Sequence, residues 1–363
     1  MRLQLIVTAI ATAAASPAAA QSADEPGAAA SLRVYADDDH VTVVSPSASV
    51  RAATSSSTLV SVDMTVDAVS AASVDVVTSA SPLPVDEKRL ELGVAGSYRA
   101  AKASWLTAGV RGSHENDYDA LRARVDARHE AAQRNTTVQG SYVLGHDVAH
   151  STSDSLFRAT RQSHELVLGA SQLLSQGTVL DLIVDGTLAD GYHASPYREV
   201  LIAQAGSPLT MRVPEQTPER RASVASALRV RQSVGSNWST IVTYRYYVDD
   251  WSVASHTLSG EVYRQTSRTL ASLEVRGYVQ SAAEFYRAVY DARDGLPALR
   301  TRDRTLGAMR SLYSALTVDT RLDDEDQWHG VASVGLLRLW FLDFPAQRDR
   351  NAVVIHAGVT TSW

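Results

Sequence analysis

The chain has 363 residues, 45% of them apolar and 20% charged, with a formal net charge of −6 and no cysteine. Such a length suits one large domain or two ordinary ones, and the composition is neither disordered nor collagen-like. The lack of Cys excludes disulfide scaffolds, thiolate metal sites, Cys nucleophiles and lipoprotein anchoring, and the mild acidity gives no reason to expect nucleic acid as a partner.

Met1-Arg2 is a short positive start, Leu5 to Ala15 is apolar and small, and Ala18-Ala19-Ala20 precedes Gln21. This order predicts a signal peptide over residues 1–20, removed on export; the stretch is too short and Ala-rich for a spanning helix. No later segment supplies about 18 consecutive apolar residues, so no transmembrane helix is expected in the mature chain. The Ala, Gly, Pro and acidic composition of Ser22 to Ser31 predicts a flexible leader over 21–32.

From residue 33 to 363 the pattern changes to period two, the signature of strands with two different faces. Leu32 to Tyr35 is a candidate short first strand, followed by Val60, Val62, Met64 and Val66 alternating with Ser61, Asp63, Thr65 and Asp67. Leu90, Leu92, Val94 and Tyr98 then oppose Arg89, Glu91, Ser97 and Arg99. Between Asp119 and Glu130, Leu121, Ala123, Val125 and Ala127 alternate with Arg122, Arg124, Asp126 and Arg128. A face with a charge at every position must stand in water. The same split recurs at 237–249, where Val242 and Tyr244 oppose Thr243 and Arg245, and at 269–280, where Leu273 and Val275 oppose Glu274 and Arg276. On the last strand Val353, Ile355, Ala357, Val359, Thr361 and Trp363 share a face, with His356, Gly358 and Thr360 on the other.

About fifteen such stretches occur, each of the length that a tilted strand needs to cross a bilayer. Tight joints, including Ser55-Ser56-Ser57, Lys102, Ser175-Gln176-Gly177, Gly235-Ser236 and Ser267-Arg268, take turns with long links at Ala71–Asp86, Tyr192–Arg220, Arg287–Arg304 and Leu342–Asn351. Short connections at one end and long at the other, with both termini in the periplasm, require an even strand number. The expected fold is all-β: a transmembrane antiparallel up-and-down β-barrel of 16 strands, with 14 the next choice, in the bacterial outer membrane. Closure leaves no unpaired edge in lipid.

Parity then assigns Arg89, Glu91, Arg122, Arg124, Asp126, Arg128, Arg245, Glu274 and Arg276 to a charged lumen, where Arg and carboxylates on neighbouring strands can pair. Tyr98, Tyr142, Trp238, Tyr244 and Tyr246 on the apolar face are candidate interfacial girdles. Trp363, ending an amphipathic strand, resembles the signal read by the barrel assembly machinery, which with outer-membrane lipid is an expected partner. The Pro-rich link from Tyr192 to Arg220 is the candidate constriction or plug.

The blocks Val34–Pro46, Asp67–Pro82, Ser113–Tyr118, Tyr244–Trp251 and Ser255–Thr257 together resemble domain of unknown function 3570, from about residue 33 to the C-terminus. The resemblance implies an outer-membrane β-barrel without an established activity and brings no catalytic residues. Asp37-Asp38-Asp39, with His40, is a candidate cation site through oxygen ligands, as are His114–Asp117 and Asp249-Asp250, but the run lacks the spaced ligands and Gly of a calcium loop. Nucleophile-elbow, zinc-helix, phosphate-loop and dinucleotide motifs are lacking, and no cofactor is expected. A Ser255, His256 and Asp249 constellation would place His256 on the wrong face. The favoured function is a passive channel or transport-related barrel for small polar solutes. A non-conducting structural or binding barrel presenting its loops comes second, and an outer-membrane hydrolase third.

Overall fold

The computed structural model describes residues 25–71, 85–204 and 210–363. From the N-terminal side, β1 (Gly27–Asp37), β2 (Val41–Ser55), β3 (Thr58–Ala71), β4 (Val85–Ala101) and β5 (Ser104–His114) follow one another around a wall. It continues through β6 (Tyr118–Ala131), β7 (Thr136–His150), β8 (Arg158–Ser175) and β9 (Thr178–Gly191). After β10 (Glu199–Ala203) and β11 (Thr210–Pro214), which leave the wall, come β12 (Arg220–Val234), β13 (Trp238–Asp249), β14 (Ala254–Gln265) and β15 (Thr269–Gln280). Beyond the short β16 (Tyr290–Asp291), the strands β17 (Met309–Arg321), β18 (Trp328–Phe341) and β19 (Asp349–Ser362) complete it.

All but β10, β11 and β16 form one closed barrel of 16 strands, antiparallel throughout, as the alternation and the even-number argument predict. β1 closes on β19 from Gly27↔Ser362 to Asp37↔Ala352. The first strand therefore begins at Gly27, within the segment read as a leader, and is longer than Leu32–Tyr35. The reason is closure: without Gly27–Ser31 the end of β19 would expose an unpaired edge. The small side chains of Ala28–Ala30 carry no hydrophobic period from which that pairing could be read. The signal-peptide expectation for 1–20 lies outside the described residues.

Register turns each strand's alternation into continuous rows. Leu273, Leu316, Val334, Ile355, Val34 and Val44 are successive cross-strand partners, and all point outward. One residue over, Ser272, Thr317, Ser333, His356, Arg33 and Ser45 form an inward polar row. Outside, the apolar side chains are exposed, including Leu121, Val125, Val242 and Leu258, and so are Tyr98, Tyr142, Trp238, Tyr244 and Tyr246. A large apolar exterior of this kind is stable only against lipid or another apolar phase.

The turns at the end holding both termini are short, among them 176–177 and 235–237; the opposite end carries the long links 192–219 and 281–308. The β3–β4 link, 72–84, lies outside the described residues. The two long links fold together. β11, β10 and β16 form a separate three-stranded sheet, with Val200, Ile202 and Tyr290 buried on it. Trp251 and Val253 of the β13–β14 turn pack with Ala283, Phe285, Tyr286 and Leu306.

This loop unit reaches the inner side of the wall. Inward-facing Gln280 donates from Nε2 to the carbonyls of Thr305 and Gly307, at 2.9 and 2.8 Å, and the Arg304 guanidinium lies 5.1 Å from the ring centre of inward-facing Phe341. Gly307 sits where the 281–308 link, the strap, passes Tyr286: a Cβ there would lie 2.8 Å from Tyr286 Cζ, and Tyr286 is only 3% exposed. Gly307→Ala is therefore expected to destabilise the loop unit by about 1–3 kcal/mol through overpacking. Limited proteolysis should nick 281–308 faster while the barrel stays intact; an unchanged rate would mean that the ring yields freely.

Candidate functional site: the lumen wall and the loop latch

Register decides what each residue assigned to the lumen by parity meets. Arg89 pairs with Asp67 at 3.6 Å and with Glu91, which also takes Arg111 at 2.5 Å. Arg111 reaches Asp63 at 2.8 Å. Arg122 pairs with Asp147 at 3.5 Å, and Arg124 with Asp126 at 2.7 Å. Arg128 stands 3.7 Å from Glu130 and 4.2 Å from the ring centre of Trp105. Across the lumen wall, Arg245 meets Asp185 at 3.3 Å. These contacts form a ladder of Arg–carboxylate pairs along β3–β9, β12 and β13, and Arg suits it because its planar fork can engage two carboxylates at once.

Glu274 and Arg276 differ. Glu274 is the direct cross-strand partner of Glu261, and Arg276 lies over the Tyr313 ring at 5.2 Å. Further pairs complete the ladder: Arg161 with Asp147, Arg221 with Asp249, and Arg231 with Asp181 at 2.8 Å. Asp147 and Arg161 were legible by the same alternation.

The two sides of the lumen differ in hydration. On the ladder side several inward arginines remain open to solvent: the Arg124 side chain is 60% exposed and Arg231 49%. On the β17–β3 side, Tyr35, Val41, Val43, Val69, Tyr313, Leu337 and Val354 form a buried apolar cluster. Inward charges exposed to this degree are stable beside water, whereas the side chains of the apolar arc bury one another.

The acidic run is used differently from the cation site expected of it. Asp37 and Asp39 are counter-ions of Arg350, and Asp39 also meets Arg304 at 3.2 Å. All four side chains are buried. Asp38 accepts from Asn351 Nδ2 at 2.7 Å. The run thus latches the strap to the β1–β2 hairpin and to β19. Asp249 accepts from Arg221, from Tyr247 Oη and from the backbone N–H of Trp251 and Val253, and His114 Nδ1 bonds Asp119 at 2.6 Å. Among the described residues, no group of three or more His, Asp or Glu is arranged to hold a metal ion. Ser255 is buried inward, whereas His256 Nδ1 bonds Tyr244 Oη on the exterior at 2.7 Å, so these residues do not converge with Asp249.

Within the loop unit Glu215 is the central acid. It accepts from Ser195 N–H at 2.9 Å and from Thr301 Oγ1, beside Arg198 at 3.4 Å. Burial, aided by Asp303 and opposed by Arg198, holds its carboxyl above the ordinary range. Folded Glu215 therefore keeps its proton to a higher pH than the unfolded chain does. Its contribution to stability is complete below the ordinary carboxyl range and declines as pH rises through the raised value. Protease resistance of the loop unit should accordingly increase on acidification from neutral, and Glu215→Gln should flatten that dependence. An identical pH profile in the variant would refute the assignment.

A family model described as "Protein of unknown function (DUF3570)" matches residues 3–157 and 147–333. No curated protein matches the sequence. Among solved structures, a "Bacterial polysaccharide outer membrane secretin" is similar at 8% identity and TM-score 0.54, over 94% of this chain and 99% of that one. CdiB from Acinetobacter baumannii is similar at 9% identity and TM-score 0.53, over 93% of this chain; the chain spans 60% of CdiB. At these identities the likeness is one of fold.

Proposed function

From the premise that the chain belongs to the DUF3570 family and folds as a closed outer-membrane-type barrel, we propose that it is a bacterial outer-membrane protein whose lumen is a passive passage for small polar solutes. The observation that carries this reading is the solvent exposure of the inward arginines beside an apolar exterior. Water fills the ladder side, and the charge pairs there set which solutes pass. Export would follow removal of residues 1–20, and assembly would use the outward Trp363, which is 64% exposed.

Conductance across planar bilayers tests the proposal. Refolded protein should carry a stable ion current, and Arg111→Ala with Arg124→Ala should shift its selectivity toward cations. Silence from correctly folded protein would overturn it. That silence would favour the second reading, a binding barrel, which the independently cored β11–β10–β16 loop unit supports.

A further inference from the structure

The charge ladder leaves one arc of the lumen out. From β17 to β2 the inward carboxylates are Asp319, bonded to His329, and Asp37, bonded to Arg350 and Tyr35. Between these ends stand Arg33 and His356, direct cross-strand partners. Neither side chain makes a hydrogen bond or ion pair among the described residues, and Arg33 Nε and His356 Nδ1 are both buried without a partner. His356 is 8% exposed.

A third donor approaches from β17. Tyr313 leans across β18 at Gly335, where a Cβ would meet its hydroxyl at 2.6 Å. Gly335 pairs with Val354, two residues from His356. The Arg276 guanidinium lies over the Tyr313 ring, 5.2 Å from its centre. Ser45 and Ser333 flank the pair as the next partners along the inward row. Glu274, two residues before Arg276 on the inward face of β15, opposes an anion there.

A guanidinium without a counter-ion in a partly buried site is costly, and neighbouring donors without acceptors are the complement of an oxyanion. We propose that the lumen holds an anion subsite, centred on Arg33 with His356 and the Tyr313 hydroxyl as further donors, that takes a carboxylate or phosphate group of a small solute. The subsite stands whether or not solute crosses the barrel, so failure of the conductance test leaves it intact.

The test uses the full refolded barrel with labelled histidine, the His356 ring resonance being assigned by its loss in His356→Gln. Inorganic phosphate and acetate are titrated separately at constant ionic strength in chloride. The His356 resonance should shift saturably with at least one of them, and Arg33→Gln should weaken that binding about tenfold or more. Arg310→Gln, altered outside the lumen, should bind as the parent does. Tyr313→Phe, which keeps the packing, should weaken binding a few-fold even if Arg33→Gln does not fold, and Glu274→Gln should tighten it. No saturable shift with either anion, or equal affinity in the folded Arg33→Gln and Tyr313→Phe variants, would overturn the proposal.

Discussion

Replacing Arg350 with methionine should lower the unfolding free energy of the lipid-embedded barrel by about 3–5 kcal/mol, the scale for breaking a buried ion pair by removing one partner. The Arg350 side chain is 1% exposed, against 0% for Asp37 and 2% for Asp39. Without it, Asp37 keeps, among the described residues, the Tyr35 hydroxyl, at 2.8 Å, and backbone N–H donors, and Asp39 keeps Arg304. The cost is that of stranded carboxylates in a region of low dielectric, not the net worth of the pair. The exposed pair Arg268–Asp324 is the control: with side chains 58% and 84% exposed, Arg268→Ala should change stability by less than about 1 kcal/mol. Urea unfolding in vesicles, followed by tryptophan fluorescence, measures both. An Arg350→Met effect no larger than the control would show that the latch does not hold the strap and β19 together.

The second large effect is on the outer face. Val125, in the middle of β6, is 56% exposed outward, and its chain neighbours Arg124 and Asp126 face inward. Val125→Arg should cost about 2–4 kcal/mol, because a guanidinium near the middle of the belt must be placed in hydrocarbon. Ser141→Arg, on the inward face opposite Asp126, should cost less than about 1 kcal/mol, since it gains a carboxylate and keeps its water. The same unfolding assay decides. Equal penalties at the two positions would mean that the two faces meet the same surroundings.

The wall was legible in the sequence because each of its strands repeats one physical instruction every second residue. Leu121 to Arg128 declares both faces, and the last strand does the same. The start of β1 was not legible: Ala28–Ala30 is placed by pairing with β19, and small side chains carry no facing signal. The loop unit was not legible either. Thr301 and Glu215 are 86 residues apart, and Asp39 and Arg350 are 311 apart, so no local pattern joins them. For that reason Asp37-Asp38-Asp39 read as a candidate cation site and proved to be the seat of arginines. Parity gives the face of a charged residue but not its company. Arg33 and Arg89 look alike in the alternation, and only register reveals that, among the described residues, Arg89 is paired and Arg33 is not.

Because the chain has no cysteine, a single introduced thiol reports on one position alone. Val242→Cys and Thr243→Cys place it on opposite faces of β13, one residue apart. In barrels reconstituted in vesicles, a charged, water-soluble maleimide should modify the thiol at 243 and spare that at 242, whereas a lipid-borne quencher should reach a fluorophore at 242 alone. Equal labelling of both positions, or the reverse order, would contradict an aqueous interior enclosed by a lipid-facing wall.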